Sequence, residues 1–242
     1  MDYPFCCTVG LGGVALRLQL HFQESAAFFA PWETKDDPAT EVCMTGDEWA
    51  YMTKRGFAVN AYNETSFLTA YCSDALLPYD RCVFHAVALR HWDRAWIIAA
   101  DSGVGKSTQA RFLQELWPGE FSVICGDRPV LQLLEDGGVM VHPSPWNGKE
   151  SWRGAAAAPL AGIVFLQRGN SNEAYSLKRH EAALHCLASA IHTGIAETDI
   201  RQTADFVSRL LERVPCYLLQ SDQVPDSTRL LYDRIIGKED AR

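Results

Sequence analysis

The chain has 242 residues, 48% of them hydrophobic and 21% charged, a composition that supports a packed core and excludes a disordered or low-complexity protein. With 22 basic and 30 acidic residues the net charge is −8, which argues against a general nucleic-acid or membrane-surface binder but permits a local basic pocket around phosphates. No apolar run reaches the roughly 20 residues of a membrane helix, and Met1-Asp2-Tyr3-Pro4 lacks the pattern of a secretory leader, so a cytoplasmic protein is expected. The eight cysteines include no C-x-x-C pair and read as reduced, buried thiols.

Residues 1–81 are expected to form a β-rich N-terminal lobe of short strands and turns. Gly10-Leu11-Gly12-Gly13 separates apolar pieces, Val14 to Leu20 alternates with the period of a half-buried strand, and Trp32 to Pro38 is a polar loop. From Cys82 the pattern changes. Cys82 to Leu89 and Ala95 to Ala99 read as strands around the turn His91-Trp92-Asp93-Arg94. A glycine-rich loop follows, then a helix from Ser107 to about Leu116 that Trp117-Pro118-Gly119 stops.

Phe121 to Cys125 reads as a strand, and Val130 to Leu134 with Val139 to His142 as a hairpin about Glu135-Asp136-Gly137-Gly138. Gly162 to Leu166 reads as a buried strand, Glu181 to His192 and Thr198 to Val214 as helices, Cys216 to Leu219 as a strand and Asp226 to Ile236 as a closing helix. Strand–helix units interrupted by a hairpin predict an α/β fold with a mixed sheet, in which residues 82–242 form a nucleotide-binding domain.

Asp101-Ser102-Gly103-Val104-Gly105-Lys106-Ser107-Thr108 nearly fits the phosphate-loop (Walker A) consensus, with Ala100 where the first glycine belongs. Gly103 and Gly105 open backbone conformations that let N–H groups approach phosphate oxygens, and the following helix points its positive end at the same anion. Lys106 then suits the β- and γ-phosphates and Ser107 suits Mg²⁺.

Ala99 to Ser107 resembles the phosphate loop of the bacterial HPr kinase/phosphorylases, whose domain has the phosphoenolpyruvate carboxykinase-like fold. His85, twenty-one residues before Lys106, and Cys125-Gly126-Asp127-Arg128-Pro129-Val130 extend the likeness. The family has an acidic pair where this chain has Asp127 alone. The motif is more similar to shorter relatives of the family, and the resemblance runs from about His85 to Lys149. It implies a P-loop kinase domain of that type, using ATP and Mg²⁺, and in the shorter relatives a Pro-Trp-x-Gly-Lys loop like the one here.

Asp127 is the candidate to hold Mg²⁺ or to accept the proton of an attacking hydroxyl, against a turn-forming aspartate before Arg-Pro. His85 could bond the transferring phosphoryl or the carboxylate, against a satisfied core histidine. In His142-Pro143-Ser144-Pro145-Trp146-Asn147-Gly148-Lys149-Glu150-Ser151-Trp152-Arg153, the cations Lys149 and Arg153 and two indole rings could meet a phosphate or an acidic acceptor, against a solvated loop with its tryptophans on the core. His185 and His192 share a helical face and read as packing.

The expected function is an ATP-dependent kinase acting on a hydroxyl of a protein, a peptide or a small molecule. A nucleotide-binding regulatory module without catalysis is the rival, motivated by the single carboxylate, Arg128 and Ala100. An ATPase or GTPase motor fits worse, because Gly162 to Leu166 runs into Gln167-Arg168 rather than an acidic residue. Acceptor, base preference and oligomeric state, a homo-oligomer included, stay open.

Overall fold

The structure is a computed structural model that describes residues 2–150, 152, 154, 156–222 and 224–239. The chain opens with β1 (Phe5–Leu11) and β2 (Val14–Leu20), an antiparallel hairpin to which β3 (Thr40–Val42) adds in parallel. Leu16, Leu18 and Leu20 point inward while Arg17 is exposed, as the alternation predicts.

The lobe also holds α1 (Gln23–Phe29), α2 (Gly46–Lys54) and α3 (Ala61–Leu76), so more of it is helix than strand. The expectation of a β-rich lobe is corrected here, and the cause is local. Thr45 and Glu48 form a capping box that starts α2, and the Asn60 side chain accepts from Asn63 N–H at 2.9 Å to start α3. The buried face of α3 mixes Leu68, Cys72 and Leu76 with Glu64, Thr65, Thr69 and Ser73, which blurs its apolar stripe.

The second part is built on β4 (Arg81–Val83), β5 (Ala86–His91), β6 (Arg94–Ala99), β7 (Phe121–Cys125), β8 (Val130–Leu133), β9 (Val139–His142), β10 (Ala158–Arg168), β11 (Glu173–Ser176) and β12 (Cys216–Ser221). They form one mixed sheet in the order β4-β8-β9-β10-β6-β5-β7, with β12 also on β10 and β11 on β12. β10 runs parallel to both β6 and β12 and is buried almost throughout, as a central parallel strand should be. The predicted hairpin is the antiparallel pair β8–β9.

Alternate residues of β5 and β6 enter two cores. Val87, Leu89, Trp96 and Ile98 meet α4 (Lys106–Leu116) and the closing helix, α7 (Asp226–Leu231) continued through Tyr232–Ile236. Ala86, Ala88, Ile97 and Ala99 meet α5 (Arg179–Ser189) and α6 (Glu197–Arg213). The result is a three-layer sandwich with helices on both faces. α5 ends at Ser189, so His192 does not share a helical face with His185, whose ring stacks on Phe165 instead. All eight cysteines are free thiols.

Candidate functional site

Cys82 to Leu89 is not the single strand its composition suggests. β4 ends at Val83 because the Phe84 and His85 amides donate to Pro129 O and Ser189 O at 3.0 and 2.7 Å, and β5 starts when Ala86 N–H reaches Asp127 O at 2.8 Å. His85 therefore stands at a strand break beside the end of β7, where Asp127 follows Gly126.

The glycine-rich loop leaves the carboxyl end of β6, where open α/β sheets place ligands. Gly103 and Gly105 have φ of 79° and 123°, which a β-carbon would strain. The first α-helical bond of α4 is Gln109 N–H to Gly105 O at 2.9 Å, so the amides before it open from the helix end. Arg168, at the end of β10, donates to Gly103 O at 2.6 Å and braces the loop. A cleft of about 460 Å³ adjoins it, lined by Gly103, Gly105, Thr108, Arg168 and Asp222 among others. Asp101 and Ser102 are exposed at its tip, Val104, Ser107 and Thr108 half-buried.

Lys106 is buried. Its Nζ donates to Ala100 O at 2.9 Å and lies 3.1 Å from His85 Nε2. Burial lowers its pKa against the pull of Asp127 and Asp101. His85 Nε2 is also 3.4 Å from Asp127 Oδ1. Unprotonated, Nε2 accepts from the ammonium; protonated, it donates to the carboxylate. Burial alone would raise the pKa of Asp127, but the His85 hydrogen bond and the charges of Arg128 and Lys106 outweigh it and the carboxyl stays below its ordinary value.

Arg128 was not foreseen as a site-building residue. Its Nε is 3.2 Å from Asp127 Oδ2, and its Nη1 donates to Ser66 O at 3.1 Å and Thr69 Oγ1 at 2.5 Å on α3. Nothing in the local sequence pairs Arg128 with a helix some sixty positions earlier.

The Pro-Trp-x-Gly-Lys loop folds onto the same place. A β-carbon on Gly126 would collide with the Asn147 carbonyl oxygen, and Gly148 packs against the Asp127 side chain. Trp146 is buried, and its indole N–H donates to Thr65 O at 2.7 Å. Lys149 is exposed, and among the described residues no hydrogen bond or ion pair joins it to Lys106, His85 or Asp127. Arg153 lies outside the described residues. The structure thus gathers Lys106, His85 and Asp127 and leaves Lys149 at the rim.

Fold and site define a mixed α/β chain with a glycine loop, a buried lysine and a carboxylate–imidazole pair at one sheet edge. No protein-family model matches the chain, and no curated protein matches it. Among solved structures it is similar to the Hpr(Ser) kinase/phosphatase from Coxiella burnetii, with 12% identity and a TM-score of 0.40, over 66% of this chain and 91% of that one. A likeness of that size carries no argument about activity.

Proposed function

We propose that the chain is an ATP-dependent kinase that transfers the γ-phosphoryl group of Mg·ATP to a hydroxyl. The observation that carries this reading is the buried Lys106 beside His85 and Asp127 at the mouth of the glycine loop. Phosphoryl transfer asks a protein chiefly for positioned donors and charge neutralisation, and this cluster supplies both.

In this reading the loop amides and Lys106 bind the phosphates, with Asp101 to Thr108 as the nucleotide-contacting segment. Mg²⁺ needs one or two carboxylates besides phosphate oxygens and water. Asp127 fits, since a carboxylate has about four acceptor positions and His85 and Arg128 occupy one direction on each oxygen. Ser107 would be the second protein ligand, and the ion would neutralise charge on the phosphates. Asp127 also accepts the proton of the attacking hydroxyl. The hydroxyl oxygen forms the new P–O bond, the β–γ bridging bond breaks, and ADP leaves with its electron pair. His85 holds the carboxylate, and Lys149 meets the acceptor or the γ-phosphate from the rim.

The Arg128–Asp127 contact favours a second reading, a nucleotide-binding regulatory module, because a cation beside the lone carboxylate competes with Mg²⁺. Titration calorimetry with ATP and GTP, with and without Mg²⁺, on the wild type, Lys106→Ala and Asp127→Asn tests both. The kinase reading expects Mg²⁺-dependent ATP binding, lost in Lys106→Ala. Asp127→Asn should retain affinity within a few-fold and lose slow hydrolysis by at least about a hundredfold. Unchanged binding in Lys106→Ala would sink the site; binding with no hydrolysis or transfer in the wild type would favour the module.

A further inference from the structure

A trough of about 900 Å³ lies between the N-terminal lobe and the end of α5. Met52 of α2, Phe67 and Tyr71 of α3, and Ile191 and Ile195 beyond α5 make its lining largely apolar. His85 and Arg128 belong to the same lining, so the trough opens on the imidazole that stands 3.1 Å from Lys106 Nζ. Asp47 and Glu48, in the first turn of α2, line it too. The Glu48 carboxylate is fixed by Thr45 N–H and Oγ–H at 2.6 and 2.9 Å, which anchors a negative charge on this wall. Ile195 is 67% exposed and Tyr51 53% exposed, so part of the trough's apolar lining faces solvent.

We propose that this trough holds the phosphate acceptor as an extended polypeptide segment. Its hydroxyl side chain reaches His85, a neighbouring apolar side chain packs among Phe67, Ile191 and Ile195, and a lysine or arginine of the segment meets Asp47 and Glu48. The inference rests on the kinase reading above, and it gives the N-terminal lobe the task of reading the acceptor.

Size and chemistry select this occupant. The volume is near the upper end of the roughly 300–1,000 Å³ range of ligand pockets. A polyhydroxylated small molecule needs a polar partner for each hydroxyl it buries, whereas more of this trough's lining is apolar than polar. A nucleic-acid acceptor would bring phosphates against Asp47 and Glu48 on a chain of net charge −8. A second, smaller cleft of about 330 Å³, lined by Phe28, Tyr62, Trp146 and Gly148 among others, reaches Asp127 itself, where the trough reaches the His85 and Arg128 that bracket it, and is the internal control.

The test is binding of the full-length chain, with Mg²⁺ and a non-hydrolysable ATP analogue, to an immobilised array of short peptides with a fixed serine and varied flanks. Peptides that combine an apolar neighbour with a lysine or arginine should be retained. Asp47→Lys should weaken them about tenfold and shift preference towards acidic flanks, and Ile195→Glu should weaken them about tenfold by spoiling the apolar wall. Tyr62→Glu, in the second cleft, should change nothing. Retention of no serine peptide by the wild type, retention of acidic or wholly polar ones, or sensitivity to Tyr62→Glu alone would overturn the proposal. An array pattern as expected on a chain that fails to bind ATP in calorimetry would remove the kinase reading and leave the docking trough standing.

Discussion

The ammonium of Lys106, only 8% exposed, ends on a carbonyl oxygen and an imidazole nitrogen rather than on a carboxylate. A lysine kept for stability would bury its charge against an anion; this one is left short of negative partners, as a phosphate ligand's binding group would be. Its pKa is lowered, so between the folded value and the ordinary value near about 10.4 the unfolded chain binds the extra proton, and stability rises with pH there. Lys106→Met should therefore lose ATP binding while melting no lower than the wild type at pH 7. Its advantage should shrink as pH climbs towards the ordinary lysine range. Thermal melts across pH check this, and a variant several degrees less stable at neutral pH would show that the lysine is structural. Gly126→Ala should act in the opposite sense. The added carbon meets the Asn147 carbonyl, so the strain should cost about 1–3 kcal/mol in urea denaturation and displace Asp127, reducing turnover as well. Lys106 belongs to a motif of short spacing, while His85 and Asp127 were picked out by the family resemblance, and the structure brings the three together. Arg128 was not legible, because its partners are on α3 and only the fold brings them together.

The strands read most faithfully were those whose residues alternate or run apolar on their own, β2, β6, β7 and the β8–β9 hairpin, while α4 was read from its start and stop signals, and only the central Gly162–Leu166 of β10 was expected. α3 is hard to read because its buried face carries polar groups satisfied from afar. Glu64 accepts from His21 N–H at 2.8 Å, and Ser73 Oγ accepts from Val83 N–H at 3.0 Å. The Thr45-x-x-Glu48 box is a start signal for α2 that stands in the sequence. The helix after the glycine loop, α4, has a similar long-range tie. Gln109 donates to Ser227 Oγ at 2.8 Å and accepts from Thr228 Oγ1 at 2.6 Å, all three residues being almost fully buried. That knot fixes α4 against α7, and with it the direction of the amides that open towards the loop. Gln109→Leu leaves Thr228 Oγ1 without its acceptor and Ser227 Oγ with Ser221 alone, so the midpoint in urea should fall by the equivalent of about 1–3 kcal/mol with little change in slope. ATP affinity should drop with it if the helix tilts. An unchanged midpoint would mean the hydroxyls find other partners and the knot is not what holds α4.

At the scale of the molecule, the two lobes share a core rather than meet across a surface. Val83, Val130 and Trp146 of the second lobe are buried among Leu11, Phe29, Leu68 and Leu76 of the first. The Arg128–α3 and Trp146–Thr65 bonds join the same two parts. A chain cut before Cys82 would expose that apolar surface and leave Arg128 with only Asp127 to hold it. Three buried side chains of this kind stabilise a fold by roughly 1.5–3 kcal/mol each, a large part of the usual 5–15 kcal/mol of a domain. The full chain should therefore unfold in one calorimetric transition whose van't Hoff and calorimetric enthalpies agree. Residues 82–242 alone should be unfolded or molten and should not bind ATP. Two separated transitions, or a fragment that melts cooperatively and titrates with ATP, would mean that the first lobe is an appendage and that the geometry of Asp127 does not depend on α3. If the single transition is found, Arg128 becomes the link through which occupation of the trough beside α3 can reach the carboxylate, because one guanidinium bonds both.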